Sequence, residues 1–507
     1  MGTKQYSYEV VKAILNFPYF VLDKETKGNS YEYKKEMLKI KQHYIDYKKG
    51  ADFVMSGSGG DYIPSNIRFK KAKTLIDKEA RFMFSKTPDI MIKAIDTEEE
   101  QKKHAEQYQQ LVDKVLEKSN FSRDLLRSAK DCFIGGRVAC LVDYSETEGI
   151  KTHFYNALNF YYETEYGSDK LIKFISFENV KKSKNRNNNV YLVNRYEEIN
   201  GTVYMSSIVY TGGAEVIETL IEHHKTNLPY IPAVVIVNDG TLEDEQGVSE
   251  IESLVEYESG YSKLSNNDID CEQKGMNPIR YVVDMNSSTT KNLSSRAGSF
   301  WELKSEQNQN ENKPMIGTLA PEMTHTESVK TTLDRIENAM YAEIDVPNIS
   351  KETLNGTITS GKTLEALYFP LQVRCDEKLK VWKPAIVFIT ETIIKFAMLN
   401  KKQVMVLYKL SQLAELKYNI EVLENYALMS DEETEKNSDL SEIAANARSR
   451  KSYMKKWRGS ELKTDAQIEE ELMQIAIENN MFDSMSMNTQ VQGELSRRTA
   501  EQTIEEV

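Results

Sequence analysis

Apolar residues recur at three- and four-residue steps through the first third of the chain. Asn66 to Phe84 places Ile67, Leu75, Ile76, Phe82 and Met83 near one face, and Gln101 to Lys118 repeats the arrangement with Leu111, Val112, Val115 and Leu116. Both stretches are read as amphipathic helices. Gly135 and Gly136 then break the period, and β-rich runs follow at Val138 to Tyr144, Phe154 to Tyr162, Val190 to Tyr196, Val203 to Tyr210 and Tyr230 to Val237, with a polar loop at Lys181 to Asn189. The middle of the chain is therefore α+β.

From Ser249 the helical period returns. Ser249 and Glu252 have capping-box spacing, and Ile251, Val255 and Leu264 carry an apolar stripe toward Gly275, which predicts one long helix. Between Gln246 and Gly275 stand Glu250, Glu252, Glu256, Glu258, Asp268, Asp270 and Glu272 against Lys263 and Lys274, so its solvent face is expected to be strongly negative. A strand at Ile279 to Met285 is followed by a polar stretch, Asn286 to Asn312, interrupted by Phe300 and Trp301. A second capping box, Thr324 with Glu327, opens a helix bearing Val329, Leu333, Ile336 and Met340. Pro347 to Ser360 has no periodicity. A long helical pattern begins at Gly361, where Pro370 is expected to kink or break it and Pro384 to interrupt it again. A strand at Tyr418 to Leu423, an acidic linker from Ser430 to Asp439, a helical module from Ser441 to Asn479 and a polar, disordered tail from Asn480 to Val507 complete the pattern.

The 507 residues suffice for about three domains, and 40% hydrophobic content excludes wholesale disorder. With 65 Lys and Arg against 78 Asp and Glu, the net charge of −13 disfavours tight, sequence-specific DNA binding, which needs a clustered basic face. Cys132, Cys140, Cys271 and Cys375 lack any paired spacing, and the six scattered histidines match no metal-ligand pattern, so no disulfide framework, metal or cofactor is expected. No membrane span is expected either, because Ala385 to Leu399 contains Thr390, Glu391, Thr392 and Lys395.

One motif invites an enzymatic reading. Gly356 to Thr363 matches the G-x-x-x-x-G-K-[ST] phosphate loop. That loop needs an apolar strand running straight into its glycines, whereas the approach here, Asn348 to Asn355, is polar and follows Pro347. No catalytic residue is assigned and the chain is read as a non-enzyme. A P-loop ATPase using residues 356–363 and a structural adaptor without a DNA channel stand as the alternatives.

The order of parts resembles the portal proteins of tailed bacteriophages, in the branch typified by Bacillus phage SPP1. The resemblance is carried by Leu228-Pro-Tyr-Ile-Pro-Ala-Val-Val-Ile-Val-Asn238, by the helix from Val248 to Asn267, by Thr326 to Ser350, and above all by Ser360-Gly-Lys-Thr-Leu-Glu-Ala-Leu-Tyr-Phe-Pro-Leu371. It implies a multi-domain α+β portal fold with a wing, stem helices, a small α/β clip, a long kinked helix and a helical crown. The corresponding boundaries are wing 1–245, first stem helix 246–275, clip 276–325, second stem helix 326–343, tunnel loop 344–360, kinked helix and remaining wing 361–440, crown 441–479 and tail 480–507.

It further implies a dodecameric ring at the capsid vertex of the virion, assembled in the bacterial host cytoplasm, through which double-stranded DNA passes non-specifically during packaging and ejection. The implied partners are the terminase large subunit, the scaffolding and major capsid proteins and a head-tail adaptor. Asn348, Lys351, Asn355 and Gly356 are the candidate DNA-facing residues of the tunnel loop. Glu250, Glu252, Glu256 and Glu258 are the candidate acidic surface of the stem, and Pro370 is the kink.

Overall fold

An extended segment with a proline at Pro64 cannot join the helix that follows it, and the chain uses it as a strap instead. The helix expected from Asn66 begins only at Lys71, because the backbone of residues 65–69 is engaged elsewhere, as described below. The computed structural model describes residues 30–55, 63–95, 98–181, 189–212, 215–238, 241, 244–276, 279–283, 315–319, 324–349, 361–411, 413–426, 432–458, 468–475 and 477. The chain divides into two compact units, one formed by residues 1–352 and 367–428 and the other by 353–366 and 429–507.

The first unit opens with α1 (Ser30–Lys49), α2 (Lys71–Phe84), β1 (Asp89–Ala94), α3 (Glu99–Lys118) and α4 (Phe121–Gly135). Gly136 closes α4 at φ +79°, its N–H donating to Cys132 O at 2.8 Å, the left-handed cap that glycine adopts without strain. β2 (Arg137–Ser145) leaves at once. It is the centre of a three-stranded antiparallel sheet between β3 (Gly149–Asn156) and β9 (Ala233–Val237). The first six residues of β2 are buried, which is why it reads as a continuous apolar run rather than an alternation.

The expected single strand from Phe154 to Tyr162 is two strands. Asn156 accepts the Leu158 N–H on its side chain at 3.0 Å and the Asn159 N–H on its carbonyl at 2.8 Å, an Asx-type turn. After that turn β4 (Phe160–Thr164) starts a five-stranded antiparallel meander with β5 (Leu171–Lys181), β6 (Val190–Ile199), β7 (Thr202–Thr211) and β8 (Val216–Lys225), in sequential order. β5 and β8 were not expected. Lys173, Glu178 and Asn179 dilute the pattern of the first, and β8 is an edge strand with almost every residue exposed, so no buried face imposes alternation on it.

The remainder of this unit comprises α5 (Glu250–Met276), the antiparallel pair β10 (Ile279–Val283) and β11 (Met315–Leu319), α6 (Thr326–Glu343), α7 (Gly361–Leu399) from residue 367 on, α8 (Lys401–Tyr408) and β12 (Tyr418–Leu423), which pairs antiparallel with β1. Residues 284–314, which hold Phe300 and Trp301, lie outside the described residues. α6 packs back along α5. No side-chain cap forms at His325, where α6 starts, so the expected Thr324 box is not used. α7 runs through both Pro370 and Pro384 without ending. Each proline removes one amide donor, about 3 kcal/mol in a helix interior, but Leu371, Cys375, Leu379, Trp382, Ile386 and Ile389 are all buried along the helix. Trp382 meets Phe84 of α2 edge-on, centroids 5.0 Å apart. Burial of that many large side chains at roughly 1.5–3 kcal/mol each outweighs two lost hydrogen bonds.

In the second unit the expected acidic linker is helical: α9 spans Glu432–Ala444 and α10 spans Arg450–Trp457. Asp439 organises it, accepting from Trp457 Nε1 at 2.6 Å and Lys456 Nζ at 3.1 Å and pairing with Arg448. The expected tail from Asn480 lies outside the described residues.

Two glycines fix how the end of α4 meets the approach to α5. Gly247 sits at φ +78°, and a Cβ placed on it would stand 2.0 Å from Gly136 O. Gly247→Ala is expected to lower stability by more than the ~1–3 kcal/mol of a strained φ alone, read as a shift in the urea midpoint. An unchanged midpoint would show that the two backbones need not approach.

Candidate functional site

The buried face of α5 is polar, and its period explains what it binds. Glu258, Ser262, Asn266 and Asp270 recur every four residues, and all four are buried. The strap runs antiparallel beside them. The Ser65 N–H donates to Asp270 Oδ1 at 2.9 Å, the Ile67 N–H to Asn266 Oδ1 at 2.8 Å and the Phe69 N–H to Ser262 Oγ at 3.3 Å. Asn266 Nδ2 returns a hydrogen bond to Ile67 O at 2.7 Å. Glu258 finishes the series, accepting from Ala72 N–H at 3.3 Å on one oxygen and Ala51 N–H at 3.1 Å on the other. Four helical residues rise about 6 Å and two extended residues about 6.6 Å. The two repeats therefore stay in step over three turns.

Burial pushes the Glu258 carboxyl up to about 7, with the backbone N–H groups of Ala51, Ala72 and Lys71 opposing the rise and Asp46 adding to it. The strongly negative solvent face expected for this helix is thus corrected. Glu250 and Glu258, expected on its surface, are 6% and 1% exposed. The exposed charged residues of α5 are Glu252, Glu256 and Glu272 against Lys263 and Lys274, a net charge of −1. Periodicity finds a buried apolar stripe; it cannot see that the partner of a polar stripe is another segment's backbone.

Glu250 opens α5 in a second cluster. Lys378 Nζ bonds Glu79 Oε1 at 2.5 Å and also Glu250 Oε1. Arg374 Nε reaches Glu79 at 3.0 Å, and its Nη2 reaches Glu250 at 3.3 Å. The Lys378 ammonium also stands 3.7 Å from the centre of the Phe133 ring. α2, α4, α5 and α7 are joined at this point. Glu79, Arg374 and Lys378 carried no sequence signal, since a Glu–Lys–Arg set drawn from distant helices has no spacing to recognise.

At the start of α5, Ser249 Oγ accepts from the Ile251 N–H at 3.2 Å and donates to Ile134 O at 2.6 Å. Glu252 does not complete the expected reciprocal box, because it pairs with Lys39 at 2.7 Å. Asn348 lies just after α6, exposed, its Nδ2 donating to Asn338 Oδ1 at 2.9 Å. Lys351, Asn355 and Gly356 lie outside the described residues. Of the phosphate-loop match, residues 356–360 also lie outside them, Gly361 to Thr363 open α7, and the described residues 344–349 form no strand. Among the described residues no helix is long and apolar enough to cross a membrane, and no group of three or more His, Cys, Asp or Glu is placed to hold a metal ion.

A family description, phage portal protein, SPP1 Gp6-like, matches residues 25–481 of the chain. No curated protein matches it.

Glu258 has a pH signature with a definite sign. Its folded value, about 7, exceeds its free value of 4.5. Its contribution to stability is therefore greatest below pH 4.5, falls as pH rises toward 7, and stays flat above. Glu258→Gln keeps an acceptor and cannot ionise, so its thermal midpoint is expected to fall less than that of the wild type between pH 5 and pH 7, followed by circular dichroism. Parallel curves for the two proteins would mean that the carboxyl does not titrate in that window.

Proposed function

Since the chain belongs to the phage portal proteins of the SPP1 Gp6-like family, we propose that it assembles into a closed dodecameric ring at one vertex of a capsid and gives double-stranded DNA its way in and out. The observation that carries this reading is the family match over residues 25–481. In this reading α5 and α6 are the stem helices, residues 276–325 the clip, 344–360 the tunnel loop and 441–479 the crown. The two parts of the wing are residues 1–245 and 361–440.

The surfaces of the isolated chain support assembly. α6 buries Met340 alone among its eighteen residues, although Val329, Leu333 and Ile336 give it an apolar side. Leu367, Phe369 and Val373 stand exposed near the start of α7. A head-to-tail contact between unlike faces closes a ring if the rotation per copy divides the circle, and exposed apolar surface of this kind is what such a contact removes from water.

Passage of DNA requires weak, non-specific contact. Each phosphate that a wall neutralises releases counterions and adds affinity, so a wall rich in Lys and Arg would hold the duplex. The outer face of α5 carries one net negative charge per copy among its exposed residues, close to neutral rather than strongly repulsive. Glu252 and Glu256, without the buried Glu250 and Glu258, are its proposed acidic stem surface. In the proposed tunnel loop, Asn348, Lys351, Asn355 and Gly356 supply polar contacts with a single positive charge. Terminase, scaffolding and major capsid proteins and a head-tail adaptor are the proposed partners, on the strength of family membership.

Negative-stain microscopy of the purified chain is expected to give turbine-shaped rings with an axial hole. A monomer or two-fold dimer at micromolar concentration across several salt conditions would refute the reading. Family members are structural rather than enzymatic, so no Mg²⁺-dependent ATP turnover is expected, and Lys362→Ala should assemble like the wild type. ATP turnover that disappears in Lys362→Ala would instead establish the phosphate loop.

A further inference from the structure

A polar cleft of about 350 Å³ opens beside the first turn of α5, lined by Asn238, Glu250, Glu252, Arg374, Glu377 and Lys378 among others. Two of its acceptors are unmatched. Glu250 Oε2 and Asn238 Oδ1 are buried without a hydrogen-bond partner among the described residues, on side chains whose residues are 6% and 5% exposed. The donors that might have served them are committed. Lys378 and Arg374 direct nitrogens to Glu79 and to the other oxygen of Glu250, Arg374 Nη1 turns to Glu343 O and Asp345, Asn238 Nδ2 is spent on Val248 O at 2.7 Å, and the Ile251 N–H at the helix start is taken by Ser249 Oγ.

The charge count has the same sign. Glu79, Glu250, Glu252, Glu377 and Asp345, the last 3.7 Å from Arg374, are set against Lys378, Arg374 and Lys39, which pairs with Glu252. Two negative charges are left over, and Glu377, exposed at the rim, has no ion pair among the described residues. A buried acceptor without a donor loses its hydration and gains nothing, the more so beside a charge, so what enters should bring N–H donors and a positive charge. Another anion or an apolar side chain would leave both acceptors stranded.

We infer that this cleft receives one Lys or Arg side chain from the adjacent copy of the chain, which bonds Glu250 Oε2 and Asn238 Oδ1 and neutralises Glu377. The inference rests on the ring proposed above. A second copy is the occupant because a ring brings an identical neighbour to the same place on every protomer, and 65 Lys and Arg per chain give that neighbour basic side chains to present. The cleft joins α5 to α7, so a side chain inserted there ties the neighbour to the helix junction of this unit.

The test uses the full-length chain. Glu377→Lys places a competing ammonium at the rim of an otherwise unchanged cleft, and is expected to raise the concentration at half-assembly about tenfold or more. Its thermal midpoint under conditions that keep both proteins monomeric should be unchanged, and Glu377→Gln should fall between it and the wild type. A reconstruction of the wild-type ring at side-chain resolution should show a Lys or Arg nitrogen of the neighbour within hydrogen-bond distance of Glu250 Oε2 or Asn238 Oδ1. Rings whose cleft holds only water, or whose assembly is indifferent to Glu377→Lys, would overturn this inference and leave the ring intact. A wild-type chain that never assembles would overturn both.

Discussion

The constraint on which the first unit depends is that a long helix with a polar buried face must find backbone to bind. Glu258, Ser262, Asn266 and Asp270 would be costly inside a protein if they met apolar side chains, since a buried polar group without a partner loses its hydration and gains nothing. They meet instead the N–H groups of an extended strap, which has the complementary problem of donors with no strand beside them. Each side satisfies the other. Because the strap leads directly into α2, and Glu258 reaches both ends of that connection at Ala51 and Ala72, the placement of the N-terminal helices follows from the register of α5.

The cluster around Lys378 works under a different rule. Its ions are nearly removed from water, so their attraction is strong and so is the cost of having buried them; replacing such a set by apolar residues is often neutral or favourable. What it contributes is geometry. Glu79 of α2, Glu250 of α5 and Arg374 with Lys378 of α7 can be satisfied together only when the three helices cross at this point, whereas apolar contacts alone would tolerate sliding. The ladder sets the register of one helix against a strap, and the charge cluster sets where that helix meets the next.

These two devices also change the electrostatics proposed for a conduit. Glu250, Glu258 and Asp270 of α5 are used internally, against amides and cations, and the exposed Glu252, Glu256 and Glu272 are nearly balanced by Lys263 and Lys274. With a screening length near 10 Å at moderate salt, a nearly neutral wall offers DNA neither a phosphate clamp nor a long-range barrier, and steric fit and brief polar contacts would govern passage.

The sequence by itself determined the elements whose signal is local. The period of Leu111, Val112, Val115 and Leu116 marked α3; the glycines at 135 and 136 marked the end of α4; alternation marked β6 and β7; and the ordered motifs from Leu228 to Leu371 were enough for the family. Only the tertiary structure decided which polar residues are inside. Glu250, Glu252, Glu256 and Glu258 are the same residue type on one helix, and nothing within the helix distinguishes a glutamate that faces water from one that faces a segment about 200 residues earlier in the chain. The prolines of α7 show the same limit, since the burial that carries the helix through them comes from packing against other elements. Local periodicity reports how a segment would like to fold; the cost or benefit of each buried polar group depends on a partner that only the folded chain supplies.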